Sequence, residues 1–319
     1  MNPVGNPDEL IASDANEFFD WLLPNATRWQ PPFGHTSYLH LRDNWIFRGE
    51  GDADRPVLPS AHRQNSLLPY IKQLTTMPLL KSKTGVNVHT LRELQIVHLF
   101  LRYGDTLGLN VPIDAYLGRK IVSFIKKNEM HLTPGFAAKR LVALPLHEFI
   151  DAFALAQHSA LPTRLLDWTR NGLSAAYFAG TSALKKFKAT PTGDKYLVVY
   201  AINTEFCNIK EYGVAPIKIV LPPARTNSNL LAQQGVLLFD EGANYRCYKA
   251  GTWVDFEKAI ANQKTPYGPP GIFFKLKLEW KHSKALLKLL TQFGIVHGSL
   301  FPGLQSLKQT MIEYREIMQ

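Results

Sequence analysis

His158, Thr163, Arg164, Asp167 and Thr169 fall within twelve positions of AQHSALPTRLLDWTRNGLSAAYFA, residues 156–179, a stretch otherwise rich in Leu, Ala, Pro and Trp. An imidazole and a carboxylate at this spacing can accept and return a proton. The guanidinium offers a planar fork of donors for phosphate or carboxylate, and the hydroxyls can donate or accept. The structural alternatives are an Arg164–Asp167 ion pair and a packed core histidine, and it is the density of the group that raises the functional reading. A second candidate is Arg48 in WIFRGE, where Gly49 lets a ligand approach the backbone closely. Its alternative is a buried Arg paired with an acid. A third is PPARTNSNLLAQQGVLLFDEG, residues 222–242, where Arg225 and Asn227 precede Gln233, Gln234 and Gly235. Adjacent amides at a strand start can read a base, a ribose or an amide, or form an exposed polar turn.

The elements that must position these residues follow from periodicity. DANEFFDWLL, residues 14–23, opens on an acidic N-cap and continues at helical spacing before TRWQPPFG breaks it. NWIFRG, residues 44–49, alternates as a strand with Trp45 and Phe47 on one face, Ile46 and Arg48 on the other. Apolar residues three and four apart make LRELQIVHLFLRYG, VPIDAYLGRKIVSFIKKN and LVALPLHEFIDAFALAQHS helices, with His158 near a helix C-terminus whose dipole favours it. TRLLDWT reads as a short strand with Thr163, Leu165 and Asp167 on one face, after which Asn171 or Thr169 caps the helix GLSAAYFAG. KYLVVYAIN, PIKIVLPP, GVLLFDEG, FFKLKLEW and YRCYKA read as strands. SKALLKLLTQFG reads as a helix from a Ser cap to Gly294, and GIVHGSLFPG as a turn. The fold class is α+β, a mixed or antiparallel sheet with a large helical block between the first strand and the strand-rich C-terminal half. Strand 44–49 has no strand neighbour in sequence, so it must pair with the later ones.

The 319 residues are 45% hydrophobic and 19% charged, enough apolar material for a substantial core. No apolar run approaches the length of a membrane span, and the polar, acidic N-terminus lacks the pattern of a signal peptide. Cys207 and Cys247 fit neither a disulfide framework nor a metal site. The expectation is a reducing, cytoplasmic location, no membrane and no metal. The formal net charge of +10 favours a polyanionic partner. Its cations are scattered, however, at Arg119, Lys120, Lys126 and Lys127, at Lys139 and Arg140, at Lys185, Lys186 and Lys188, and at Lys275, Lys277, Lys281, Lys284 and Lys288. A nucleic-acid track and a solvated basic surface remain equal readings. GxGxxG before a helix, Walker A, HExxH, Cys/His zinc spacing and GxSxG are all absent.

At these places the chain resembles the FRG-domain family, named for its Phe-Arg-Gly motif, here Phe47, Arg48 and Gly49. The family's strongest block, AQHxGLPTRLLDWTxNPLxALYFA, matches residues 156–179 without a gap. Ala160 stands for the usual Gly and Gly172 for the usual Pro. RTNSNLLAQQG resembles a third block, and Leu300, Phe301, Pro302, Gly303 and Leu304 resemble a closing LFPxL. The resemblance spans about residues 40–305. It implies an N-terminal helical lead-in (1–40), a single FRG domain (40–305) including a helical block at about 65–150, and a C-terminal tail (306–319).

The wider architecture is similar to the ADP-ribosyltransferase fold. That likeness implies an enzyme using NAD on a nucleic acid or nucleotide acceptor, acting as a toxin or phage-defence effector with a neutralising partner protein. On this reading Arg48 clamps the diphosphate beside Gly49. His158, Thr163, Arg164 and Thr169 line the pocket, Tyr177 stacks on nicotinamide, and Gln233 or Gln234 takes the place of the family's glutamate. A glutamine can orient a hydroxyl but cannot be a base, so the base falls to His158, Asp167 or Glu241. The rival expectation is a non-catalytic nucleic-acid-binding module in which Arg48, Arg63, Arg164 and Arg225 converge on phosphates. A third is that the block is a structural keystone.

Overall fold

A computed structural model of the chain describes residues 8–24, 26, 29, 45–71, 80–111, 115–132, 138–191, 194–204, 217–221, 228–261 and 273–318. Cys207, Arg225 and Asn227 lie outside the described residues. The fold is α+β. Seven strands, β1 (Asp8–Ile11), β2 (Trp45–Glu50), β3 (Leu165–Thr169), β4 (Tyr196–Asn203), β5 (Ile217–Val220), β6 (Gly235–Asp240) and β7 (Phe273–Glu279), form one mixed sheet in the order β1-β7-β4-β2-β3-β6-β5. Only β1 and β7 pair in parallel. Strand 44–49 finds its partners late in the chain, as its isolation requires. It pairs with β4 from Trp45↔Asn203 to Glu50↔Val198, and touches β3 at the single pair Phe47↔Thr169. The sheet is thus nearly divided between β2 and β3.

The helices are α1 (Ala15–Leu22), α2 (Lys83–Thr106), α3 (Ala115–Lys127), α4 (Leu146–His158), α5 (Gly172–Ala189), α6 (Ser228–Ala232), α7 (Ala243–Ala250), α8 (Phe256–Ala261), α9 (Ser283–Gln292), α10 (His297–Leu300) and α11 (Leu307–Met318). Local chemistry fixes several ends. Asp14 caps α1 by accepting from the Asn16 and Glu17 amides, and Asn171 caps α5 by accepting from those of Leu173 and Ser174. α4 ends with the amide of Ala160 bonding the Gln157 carbonyl and that of Leu161 bonding Ala156. This closure needs a left-handed residue, and Ala160 takes it at φ 62°. Three expectations change. YRCYKA is the body of helix α7, not a strand; its tyrosines recur three apart, and Gly251 at φ 72° stops the helix. GIVHGSLFPG contains the short helix α10. DELI, hidden in a polar N-terminus, is the edge strand β1.

Alternation divides the core between the two sheet faces. Phe47, Val199, Ala201 and Leu276 pack beneath α1, α5 and α9. On the same face, Leu165, Leu237 and Phe239 meet α2, α3 and α4. Ile46, Leu166, Trp168, Tyr200 and Leu238 face the other way, against Val57 and Phe256.

Candidate functional site

The near-division of the sheet leaves the Asp167 carbonyl without a β2 partner, and the Arg48 side chain fills the gap. Its Nη1 donates to that carbonyl at 2.6 Å and its Nη2 to Glu50 Oε1 at 2.5 Å, while Nε is buried without a partner among the described residues. The Asp167 side chain leaves from the other face and is solvent-exposed. Gln157 Nε2 donates to Asp167 Oδ1 at 2.6 Å, and the Thr163 hydroxyl donates to Gln157 Oε1. This relay orients the carboxylate, and Oδ2 accepts no hydrogen bond among the described residues. His158, beside Gln157 at the end of α4, lies close enough for Asp167 to raise its pKa. Partial burial outweighs that influence and lowers it below the ordinary histidine value.

The loop after β2 completes the surroundings. The Ala61 amide donates to the Thr163 carbonyl at 2.9 Å, and the Thr163 amide to Ser60 Oγ at 3.0 Å, which pins residues 60–62 against the signature block. Partial burial lowers the Arg63 pKa. The charges of Arg55 and Arg48 lower it further, and Glu50 and Asp167 oppose them. Arg63 therefore feels two other guanidinium groups and two carboxylates, a net positive set. Such a place attracts a small polyanion.

The same short stretch also makes a wholly buried cluster. Arg164 turns away from Asp167 to Glu93 on α2. Its amide donates to Oε1 at 2.7 Å, and its Nε and Nη2 to Oε2 at 2.9 and 2.7 Å. Nη1 leans on Asn244 Oδ1 of α7 at 3.5 Å. Glu93 is 0% and Arg164 4% exposed. The expected Arg164–Asp167 pair is thus absent and Asp167 is not neutralised by it. Arg164, expected to hold a ligand, is an internal tie, because three donors to one desolvated carboxylate leave it no reach to solvent. His62 and His89 lie close by, with His62 stacked on Trp253 at 3.6 Å. Burial first, then the Arg164 charge, push both pKa values down, that of His89 to about 3.

Five other expected positions are placed differently. Gly49 is not open to a ligand: a Cβ there would lie 1.9 Å from the Ala175 carbonyl oxygen, so its lack of a side chain lets α5 press onto β2. Tyr177 does not join the Arg48 group. Its hydroxyl bonds Glu313 at 2.5 Å and His297 at 3.3 Å between α5, α10 and α11. Burial, then Glu313, raise its pKa. Thr169 donates to the Gln233 carbonyl at 2.6 Å, and Gln233 Nε2 to the Leu300 carbonyl at 3.1 Å, which ties the QQG and LFPG blocks to β3. Gln234 occupies an exposed turn at φ 49°. As for the remaining base candidate, Glu241 is paired with Lys218. Of the phosphate-clamping set, Arg63 lies within the influence of the Arg48 charge, Arg164 is tied to Glu93, and Arg225 lies outside the described residues.

The FRG-domain family model matches residues 110–188. The chain carries an FRG domain. The matched residues hold α3, α4, β3 and all but the last residue of α5, so the FRG match contains the Gln157–Thr163–Asp167 relay and Arg164. Phe47, Arg48 and Gly49 lie outside it but dock on its strand and helix. No curated protein and no solved structure matches the chain.

The sequence reading missed Glu50, Arg55 and Ser60 beside the FRG block, and Glu93 beneath it. Glu50 and Arg55 flank the Phe-Arg-Gly strand, so proximity to Arg48 was the available signal. Glu93 sits on an apolar helix with nothing local to link it to Arg164, 71 residues on. Also missed was a pocket on the α5 face, lined by Trp29, Trp45, Phe47, Arg170, Asn171 and Gly172. No group of three or more His, Cys, Asp or Glu placed to hold a metal ion occurs among the described residues. No helix there is long and apolar enough to cross a membrane.

Proposed function

We propose that this chain is an ADP-ribosyltransferase-like enzyme that uses NAD and modifies a nucleic acid or nucleotide acceptor. The observation that carries the reading is the Arg48 side chain at the gap in the sheet beside Asp167, whose carboxylate is oriented by Gln157 and makes no ion pair among the described residues. NAD fits this donor set: Arg48 uses one donor of Nη1 and one of Nη2, and the second N–H of each, together with Arg55 and Arg63, offers further donors for a diphosphate. When bound, NAD supplies an ADP-ribosyl group whose bond to nicotinamide breaks as a bond to the acceptor forms. Asp167, fixed by Gln157 and Thr163, would supply the negative charge that an ADP-ribosyl group favours as it leaves nicotinamide. His158, its pKa depressed, is neutral at pH 7 and accepts the proton released by the acceptor. Gln233 and Thr169 have positioning roles, since each is committed to a hydrogen bond within the fold.

The second reading is a nucleic-acid-binding module without turnover, favoured by the same arginines and by the net charge of +10. Nicotinamide release, measured with DNA, RNA and protein acceptors supplied in turn, separates the two. The enzyme reading expects release by the wild type and its loss in Arg48→Ala and Asp167→Asn. No release with any acceptor and no heat of NAD binding would overturn it. Oligonucleotide binding that falls steeply with salt would then favour the module.

A further inference from the structure

Away from the Arg48 group, a second concentration of positive charge lies where the first turn of α2, residues 138–142 and α7 meet. Lys83 Nζ donates to the Lys139 carbonyl at 2.9 Å and stands 5.8 Å from the centre of the Tyr248 ring. Lys249 Nζ stands 5.6 Å from the Tyr245 ring and 5.9 Å from that of Tyr248. The Lys81 stem lies against Gly251, where a Cβ would come within 2.7 Å of its Cγ. Arg140 is fixed by its carbonyl, which accepts from Asn87 at 2.8 Å. None of Lys81, Lys83, Lys139, Arg140 and Lys249 forms an ion pair among the described residues. Elsewhere Lys186, Lys195, Lys218, Lys275, Lys277 and Arg246 each have a carboxylate partner. This face is basic, unpaired and centred on two tyrosines. Tyr245 is 59% exposed, whereas Tyr248 is partly buried against Val86, Cys247 and Trp253. The platform is also rigid, because Asn244 of α7 bonds Thr90 and the Val142 carbonyl, each at 3.1 Å.

We infer that this face is a docking site for a single strand of nucleic acid, with phosphates on the lysines and an unpaired base stacked on Tyr245. The cations alone would suit any polyanion. The exposed Tyr245 ring, with Lys249 Nζ 5.6 Å from its centre, is what selects a strand whose bases are free, since a duplex presents phosphates but keeps its bases stacked, and a run of acidic side chains has no flat ring to offer. The inference deepens the enzyme reading by naming where the acceptor is held, and its catalytic meaning rests on that reading. Strand binding itself needs no NAD.

The test is fluorescence anisotropy of the full chain, without NAD, with a labelled oligothymidylate strand, a duplex and polyglutamate as probes across a salt series. The single strand is expected to bind best. Tyr245→Ala should weaken it by roughly tenfold with the salt slope unchanged, and Tyr245→Phe should restore it. Lys83→Gln with Lys249→Gln should lower the slope by about 1.4, near 0.7 for each lost phosphate contact. Equal affinity for polyglutamate, no effect of Tyr245→Ala in a variant that melts normally, or loss of binding in Arg48→Ala but not in the lysine variant would overturn the inference. A chain that binds the strand by this pattern yet releases no nicotinamide would keep the site and refute the enzyme.

Discussion

Arg164 and Asp167 are three residues apart in one short segment, yet they belong to opposite kinds of polar site. Around Arg164, donors and acceptors are matched and sealed: one carboxylate takes three of its hydrogen bonds, and both side chains are out of water. Around Asp167 the match is incomplete. Among the described residues, one carboxylate oxygen is held and the other is open, and Arg48 keeps a donor without a partner. A closed network stabilises a unique fold, whereas an open one leaves chemistry unspent for a ligand. The sign of the backbone alternation decides which residue joins which, because Arg164 and Asp167 leave the strand toward different neighbours.

The largest expected effect breaks the closed side. Glu93→Ala leaves Arg164 charged and buried without its partner, and should cost about 3–5 kcal/mol, read as a fall in the denaturant midpoint. A loss under about 1 kcal/mol would mean that the pair is not the keystone. Acid should attack the same region. His62 and His89 are buried neutral with depressed pKa values, so below the ordinary value of 6.5 the unfolded chain binds protons that the folded chain refuses. Stability is therefore full above pH 6.5 and falls as the pH drops toward about 3, by about 1.4 kcal/mol per pH unit for each histidine. Urea titrations at neutral and mildly acidic pH check this, and His89→Gln should flatten the slope.

Smaller changes sharpen the open side. Gly49→Ala drives a methyl into the Ala175 carbonyl and should cost about 1–3 kcal/mol by thermal melting, while moving Arg48 from the gap. Ala160→Gly relieves a left-handed alanine at the end of α4 and should stabilise by about 1 kcal/mol. It should leave the Gln157–Asp167 contact in place. The smallest stability effect, within about 0.5 kcal/mol, is expected for Asp167→Asn, an exposed position away from the buried network.

The open side was more legible in the sequence than the closed one. Phe47, Arg48, the helix end at His158, the strand carrying Asp167 and the cap at Asn171 could all be placed from alternation, helical spacing and capping chemistry, which are local signals. What escaped were contacts set by tertiary approach. Glu93 meets Arg164 only because α2 crosses behind β3, and Gly49 serves α5 because that helix descends onto β2. Tyr177 is drawn to Glu313 by α11, which the sequence reading left as a tail. The YRCYKA segment misled because aromatic and β-branched content mimics a strand, while the spacing of Tyr245 and Tyr248 and the stop at Gly251 carried the helical signal.

Transfer requires Asp167 to act as an open carboxylate rather than as one more structural tie. Nicotinamide release by wild type and Asp167→Asn, each confirmed to melt within about 2 °C of the other, tests this most directly. A fall of about a hundredfold or more in release, at unchanged stability, is the predicted result, in line with the loss of one preorganised electrostatic group. Release that is undiminished in Asp167→Asn, or absent from the wild type with every acceptor, would contradict it.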